Sequence, residues 1–248
     1  KDDKILNLYA NDSHWSKYKN LFVKESDKVT KNIPGSYFIY GTTTIENHGY
    51  VTIEFNHNNP LDCKIISVKD FCVGSGLSQE TFDFNKGKFN YEGIDYQITS
   101  IGKDALRPSS MSSFFSDVIL QIPSTIKTIE DGAFYGNSRN WGISDKEIIG
   151  IEFNERLEDI GKEAFYKCND LIDTTIKLPN SVKHIGDNAF GKTNIEILDL
   201  RTLDHVIDVD SNLDSKNSFL YDTKINKIIF KDDKILNLYA NDSHWSKY

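Results

Sequence analysis

The chain has 248 residues, 38% of them apolar and 12% aromatic, a composition that suits a folded protein and excludes a disordered one. Its 29 basic and 37 acidic residues leave a net charge of −8, and no dense Lys/Arg cluster offers the footprint a nucleic acid requires. No apolar run reaches the ~20 residues of a membrane-spanning helix, and no signal peptide is read at Lys1, so targeting and anchoring segments are expected outside this sequence.

Residues Lys1–Tyr18 recur unchanged as Lys231–Tyr248, an offset of 230 residues. So long a run of identity predicts one period of a tandem array, although an engineered duplication would give the same pattern. Leu8, Trp15, Tyr18, Leu21 and Phe22 fit one helical face, and Asn11, Asp12 or Ser13 can cap a second turn, which predicts two short helices. Trp245 and Tyr248 are expected to seal the end of the fold. With Trp15 and Tyr18 they would set the joint between consecutive modules.

Residues 19–97 read as a β-rich cap. Candidate strands are Ser36–Tyr40, Tyr50–Phe55, Lys64–Val68, Phe82–Phe84 and Lys88–Tyr91, the last two flanking a turn at Asn85–Gly87. Cys63, Cys72 and Cys168 lack metal-site spacing. Cys63 and Cys72 either pair across a hairpin or remain two thiols.

From residue 98 to 230 a finer period appears. Ile101-Gly-Lys-Asp-Ala-Leu106, Ile129-Glu-Asp-Gly-Ala-Phe134, Ile160-Gly-Lys-Glu-Ala-Phe165 and Ile185-Gly-Asp-Asn-Ala-Phe190 align, with isoleucine spacings of 28, 31 and 25 residues. Apolar strands accompany them at Val118–Ile122, Ile148–Phe153, Thr175–Leu178, Ile195–Leu200 and Ile225–Phe230. Such a coil cannot bury its apolar face alone, so the strands are expected to stack as one parallel sheet on one face. Ala133, Ala164 and Ala189 allow close approach, Gly102, Gly161 and Gly186 are expected to ease a tight bend, and Pro123 and Pro179 close two strands. Insertions are expected at 107–117 and 137–147, and after Leu200 the pattern degenerates until Phe219.

These phrases resemble BspA-type leucine-rich repeats, most clearly Ile122–Phe134, Leu178–Phe190 and Ala164–Leu171. The resemblance covers roughly 93–248, with Lys231–Tyr248 similar to the family's helical closing tail. It implies an α+β, β-rich fold: a right-handed solenoid with an N-terminal β-rich cap and short helical terminal segments. It places Cys168 on an interior Cys/Asn ladder, where Asn137 and Thr193 replace Cys. It also implies a cell-surface or secreted protein associated with adhesion to host proteins and other cells.

Candidate sites follow from this reading. Outward strand positions are Gln121, Glu152, Lys177, Asp199 and Arg201; their mixed charge reads as a solvated ladder or a ligand face. Phe114 and Phe115 (with Met111) and Tyr135, Arg139 and Trp141 (with Asn140) bring aromatics and Arg together in two insertions, as protein interfaces do. Those rings alternatively fold back on the core. Asp208, Asp210 and Asn212 alternate, with Asp214, like the start of a calcium loop. Leu213 and Phe219 stand where that loop needs Gly and Glu, so a solvated acidic insertion is expected instead. A Cys168–His184 dyad is unexpected, because Cys168 would lie inside the stack and His184 outside. No nucleophile, metal-hydrolase or phosphate-cradling motif is present. The expectation is a non-catalytic adhesin module without cofactor, partnered by a protein ligand and by neighbouring copies, or alternatively a structural stalk.

Overall fold

The structure is a computed structural model and describes residues 28–36, 48–56, 59–72, 82–83, 87–107, 118–136, 148–168 and 174–246. Alternating apolar residues build the N-terminal strands. They are β1 (Lys28–Ser36), β2 (His48–Asn56), β3 (Asn59–Cys72), β4 (Phe82–Asp83), β5 (Lys88–Tyr91) and β6 (Ile94–Ile101). Their pairings run β6-β3-β2-β1-β4-β5 and return to β6, a circuit closed at β4 by two residue pairs, so that Lys28–Pro34 of β1 pairs on the β2 side alone among the described residues. Ile53, Phe55, Cys63, Ile65, Tyr96, Ile98 and Ile101 are all buried, with Phe55 and Tyr96 edge-on at 4.7 Å.

Three details of the cap differ from the sequence reading. The first strand ends at Ser36, and 37–40 lie outside the described residues, as does Phe84. Strand β6 straddles the expected 97/98 boundary and pairs with both β3 and the first coil, so cap and coils share one sheet. Cys63 and Cys72 lie on the same strand, nine residues apart. At ~3.3 Å per residue that is ~30 Å, far beyond the ~7 Å limit between disulfide-bonded Cα atoms. The two do not pair within the chain, and Cys63 is a buried free thiol.

The coil stack follows through β7 (Val118–Gln121), β8 (Thr128–Ile129), β9 (Ile148–Glu152), β10 (Asp159–Ile160) and β11 (Thr175–Lys177). It continues through β12 (His184–Ile185), β13 (Ile197–Leu200), β14 (Asp208–Val209) and β15 (Lys227–Phe230). The expected single sheet of longer strands is instead two parallel pieces, β7-β9 and β11-β13-β15. The continuous ladder runs through the short isoleucine motifs, Ile101↔Ile129↔Ile160↔Ile185↔Val209, every pair parallel. Val209 takes the isoleucine position, so the coil pattern persists where the sequence seemed to degenerate.

A third ladder joins the Ala-Phe turns. The Phe134 amide donates to Ala164 O, Phe165 to Ala189 O and Phe190 to Phe219 O, at 2.7, 2.7 and 2.8 Å. Phe134, Phe165 and Phe190 consequently stack, with ring centroids 5.0 and 5.3 Å apart and planes within 5°. Cys168 donates to Phe134 O on the interior, as the resemblance implied; Thr193 donates instead to Phe190 O, and Asn137 lies outside the described residues.

Left-handed residues recur at two fixed places along the coils. Asp104, Gly132, Glu163 and Asn188 occupy the first, and Gly136, Lys167, Lys192 and Asp222 the second. Gly102, Gly161 and Gly186 are not among them, so they do not ease a bend. Their role is close approach: a Cβ on Gly186 would lie 2.5 Å from Lys162 N, and one on Gly161 2.7 Å from Asp131 N.

Helix α1 (Asp233–Asn241) ends the fold, capped by the Asp232 carboxylate, which accepts from Ile235 N at 2.9 Å. The expected second helix is a turn. Asp242, aligned with the candidate cap Asp12, closes it by accepting from His244 N and Ser246 N.

Candidate functional site

The equivalence of Tyr135, Tyr166, Gly191 and Tyr221 follows from backbone bonds. Gly136 N donates to Tyr166 O, Lys167 N to Gly191 O and Lys192 N to Tyr221 O, at 2.8, 2.9 and 2.8 Å. Because the preceding Phe turns inward, this next residue turns to the edge. Tyr135 and Tyr166 lie 5.2 Å apart, centroid to centroid, and both rings are half-buried. Gly191 leaves the space that the Tyr166 ring fills, since a Cβ there would sit 2.9 Å from that ring.

Cations line the same edge. The Arg107 guanidinium sits 4.2 Å from the Tyr135 centroid, while Lys167 Nζ lies 5.9 and 5.6 Å from Tyr135 and Tyr166. Lys192 Nζ is 6.0 Å from Tyr221. Arg107 also pairs with Asp104 at 3.3 Å, and Lys192 approaches Asp222 at 4.0 Å. Lys167 and Lys192 have φ of 61° and 55°, where the preceding coil has Gly136. A side chain there costs ~1 kcal/mol or more relative to glycine. Asp222 takes the same place in the last coil, so the left-handed backbone belongs to the coil turn. The edge therefore offers amphipathic rings and cations on a rigid scaffold, the residue types that anchor protein interfaces.

Of the sequence-stated candidates, only Tyr135 falls on this edge; Phe114, Phe115, Arg139 and Trp141 lie outside the described residues. The sequence reading missed Tyr166, Tyr221, Arg107, Lys167 and Lys192, though the residue after each Ala-Phe pair could have flagged the row.

The outward strand row does not form one free face. Gln121 donates to Glu152 at 2.7 Å, and Lys177 is exposed. Asp199, expected outside, is 3% exposed. Arg201 folds back over it, donating to its two oxygens at 3.0 and 2.7 Å and holding the carboxyl below its ordinary range. A carboxylate so occupied has little left for a ligand.

The acidic run is likewise part of the coil. Asp208 is a ladder residue, Asn212 is exposed, and Leu213, between Asn212 and Asp214, is buried with its amide on His244 O. Asp210 faces His184 Nε2 at 3.1 Å and accepts from Asp187 N, while Asp159 faces His184 Nδ1 at 2.7 Å. Burial opposes the imidazolium, but the two carboxylates outweigh it and raise His184 above its ordinary value. His184 thus engages Asp159 and Asp210, not Cys168. Among the described residues no three His, Cys, Asp or Glu converge as a metal set.

Of the joint residues, Trp245 is buried and donates to Ile207 O at 3.0 Å, while Tyr239 OH accepts from Ile207 N at 3.2 Å. Trp15, Tyr18 and Tyr248 lie outside the described residues. Among the described residues no helix is long and apolar enough to cross a membrane.

A family model described as a BspA type leucine rich repeat region, in 6 copies, matches residues 77–202 and 143–240. Among solved structures, a leucine-rich repeat protein from Bacteroides ovatus is 18% identical, with a TM-score of 0.49, over 78% of this chain and 42% of that one. The pneumococcal vaccine antigen PcpA is 18% identical, with a TM-score of 0.42, over 74% of this chain and 48% of that one. The chain thus spans less than half of either protein. No curated protein matches it.

Proposed function

The chain belongs to the BspA-type leucine-rich repeat family, and from that premise we propose that it is a non-catalytic adhesin module of a cell-surface protein. It binds protein ligands on host or neighbouring cells along the edge made by Arg107, Tyr135, Tyr166, Lys167, Lys192 and Tyr221. The observation that carries this reading is the row of tyrosines with cations over them. The winding is right-handed, as the resemblance implies. Proteins of this kind gain from repetition, because linked modules convert second and later contacts into intramolecular ones.

The test compares one copy with three tandem copies on intact cells and on a panel of immobilised extracellular proteins. Three copies are expected to bind ~100-fold more tightly than one. Equal binding of one and three copies would refute the avidity argument. The identity of Lys1–Tyr18 with Lys231–Tyr248 also suits a stalk that only has to repeat. Natural copies varying mainly at 107–117 and 137–147 would favour recognition, and uniform copies the stalk.

A further inference from the structure

We propose that the groove between β15 and α1 is the seat of the next copy of this module, an inference that rests on the tandem-array reading. Of the two strand ladders that reach the end of the stack, the closing segment seals only one. On the β14 side, Tyr239 and Trp245 occupy the backbone of Ile207, and His244 O accepts from Leu213 N at 3.1 Å. On the other side β15 pairs with β13 alone among the described residues. There a groove of about 410 Å³ opens, walled by Ile225, Ile228, Phe230, Leu236, Ala240 and Trp245. Leu236 is 44% exposed on its rim, and Ile228 and Phe230 are only partly covered. An open strand edge beside apolar side chains is a template for another chain.

The occupant is fixed by the duplication. Because Lys1–Tyr18 repeats Lys231–Tyr248 and is followed directly by Lys19, every junction of an array carries this helix joined to residue 19 of the next copy. Nine residues, 19–27, then lead to β1 at Lys28. Even fully extended, nine residues span at most ~32 Å, so the covalent link holds the next copy near the groove at an effective concentration of order millimolar. The first apolar residues it brings are Leu21, Phe22 and Val23, chemically matched to the groove.

The test uses a two-copy protein in which residues 19–248 follow Tyr248, read by amide hydrogen exchange. Ile228, Ile229 and Phe230 of the first copy should exchange at least ~10-fold more slowly than in the single chain. Leu236→Lys should restore the single-chain rates while leaving the melting of the single chain unchanged. Phe22→Lys in the second copy alone should do the same, which keeps the test valid if the helix variant misfolds. Equal exchange in one-copy and two-copy proteins would overturn the inference. Arrays that bind cells with no protection at β15 would refute the docked joint and leave the adhesin reading standing. Protected β15 without gain in binding would do the reverse.

Discussion

Replacing Gly186 with Ala probes the coil ladder where two backbones approach closely. The new Cβ would lie 2.5 Å from Lys162 N, 2.9 Å from Gly161 C and 3.0 Å from Lys162 Cα, all backbone of the preceding coil. Ordinary contact is ~3.5–4.0 Å, so the two coils must part by ~1 Å. That stretches the 2.8 Å bond from Gly186 N to Ile160 O beyond hydrogen-bonding range. Overpacking costs ~1–3 kcal/mol and a buried unmade bond a further ~1–3, against ~0.4–1 regained by restricting the unfolded chain. The net loss is ~1–5 kcal/mol, centred near ~3. Gly93→Ala is the control, because its φ is +78° but nothing lies within 4 Å, leaving ~1 kcal/mol of local strain. Urea denaturation followed by far-ultraviolet circular dichroism reads both. If Gly186→Ala cost no more than Gly93→Ala, the close-approach argument would be wrong.

The other predictions concern charge and thiols. His184 has a raised folded pKa, so its contribution is complete below its ordinary value of 6.5 and is lost as pH rises through the folded value. The urea midpoint should therefore fall as the pH rises above about 6.5, and His184→Gln should flatten that slope; an unchanged slope would contradict the Asp159–His184–Asp210 bridge. Burial pushes the Cys63 thiol up to about 12, so a thiol reagent at neutral pH should not label it until the protein unfolds. Reducing agent should not lower the melting temperature of the single chain, since Cys63 and Cys72 cannot reach one another. Arg201→Gln uncovers Asp199, whose depressed carboxyl pKa contributes stability that is lost as pH falls. The variant should lose that contribution, so the gap in urea midpoint between it and the native chain should narrow as the pH is lowered.

The coil repeat was legible because its signal is one-dimensional: Ile, Ala and Phe recur at fixed offsets, and each recurs for the same burial. Which segment carries the continuous ladder was not, because a two-residue strand such as Thr128–Ile129 has no alternation to read. Asp199 misled for a related reason. Strand alternation sends it outward, but only the folded chain shows Arg201 covering it. Closure of the cap depends on two short contacts, Gly35–Ser36 with Phe82–Asp83 and Asp83 with Lys88, that carry no sequence signature. The tyrosine edge stood in the sequence at 135, 166 and 221. Unequal coil lengths and Gly191 hid the alignment that makes it a row.

The tyrosine and cation edge is the binding surface in the proposed function. Lys167→Gly with Lys192→Gly tests it, because glycine relieves strained backbone while removing two of the cations. In a three-copy array, the double variant should melt at or above the native temperature, gaining up to ~1 kcal/mol per site. Its retention on cells should nonetheless fall at least ~10-fold, the loss of ~1.4 kcal/mol of binding. Retention equal to that of the native array would contradict the claim.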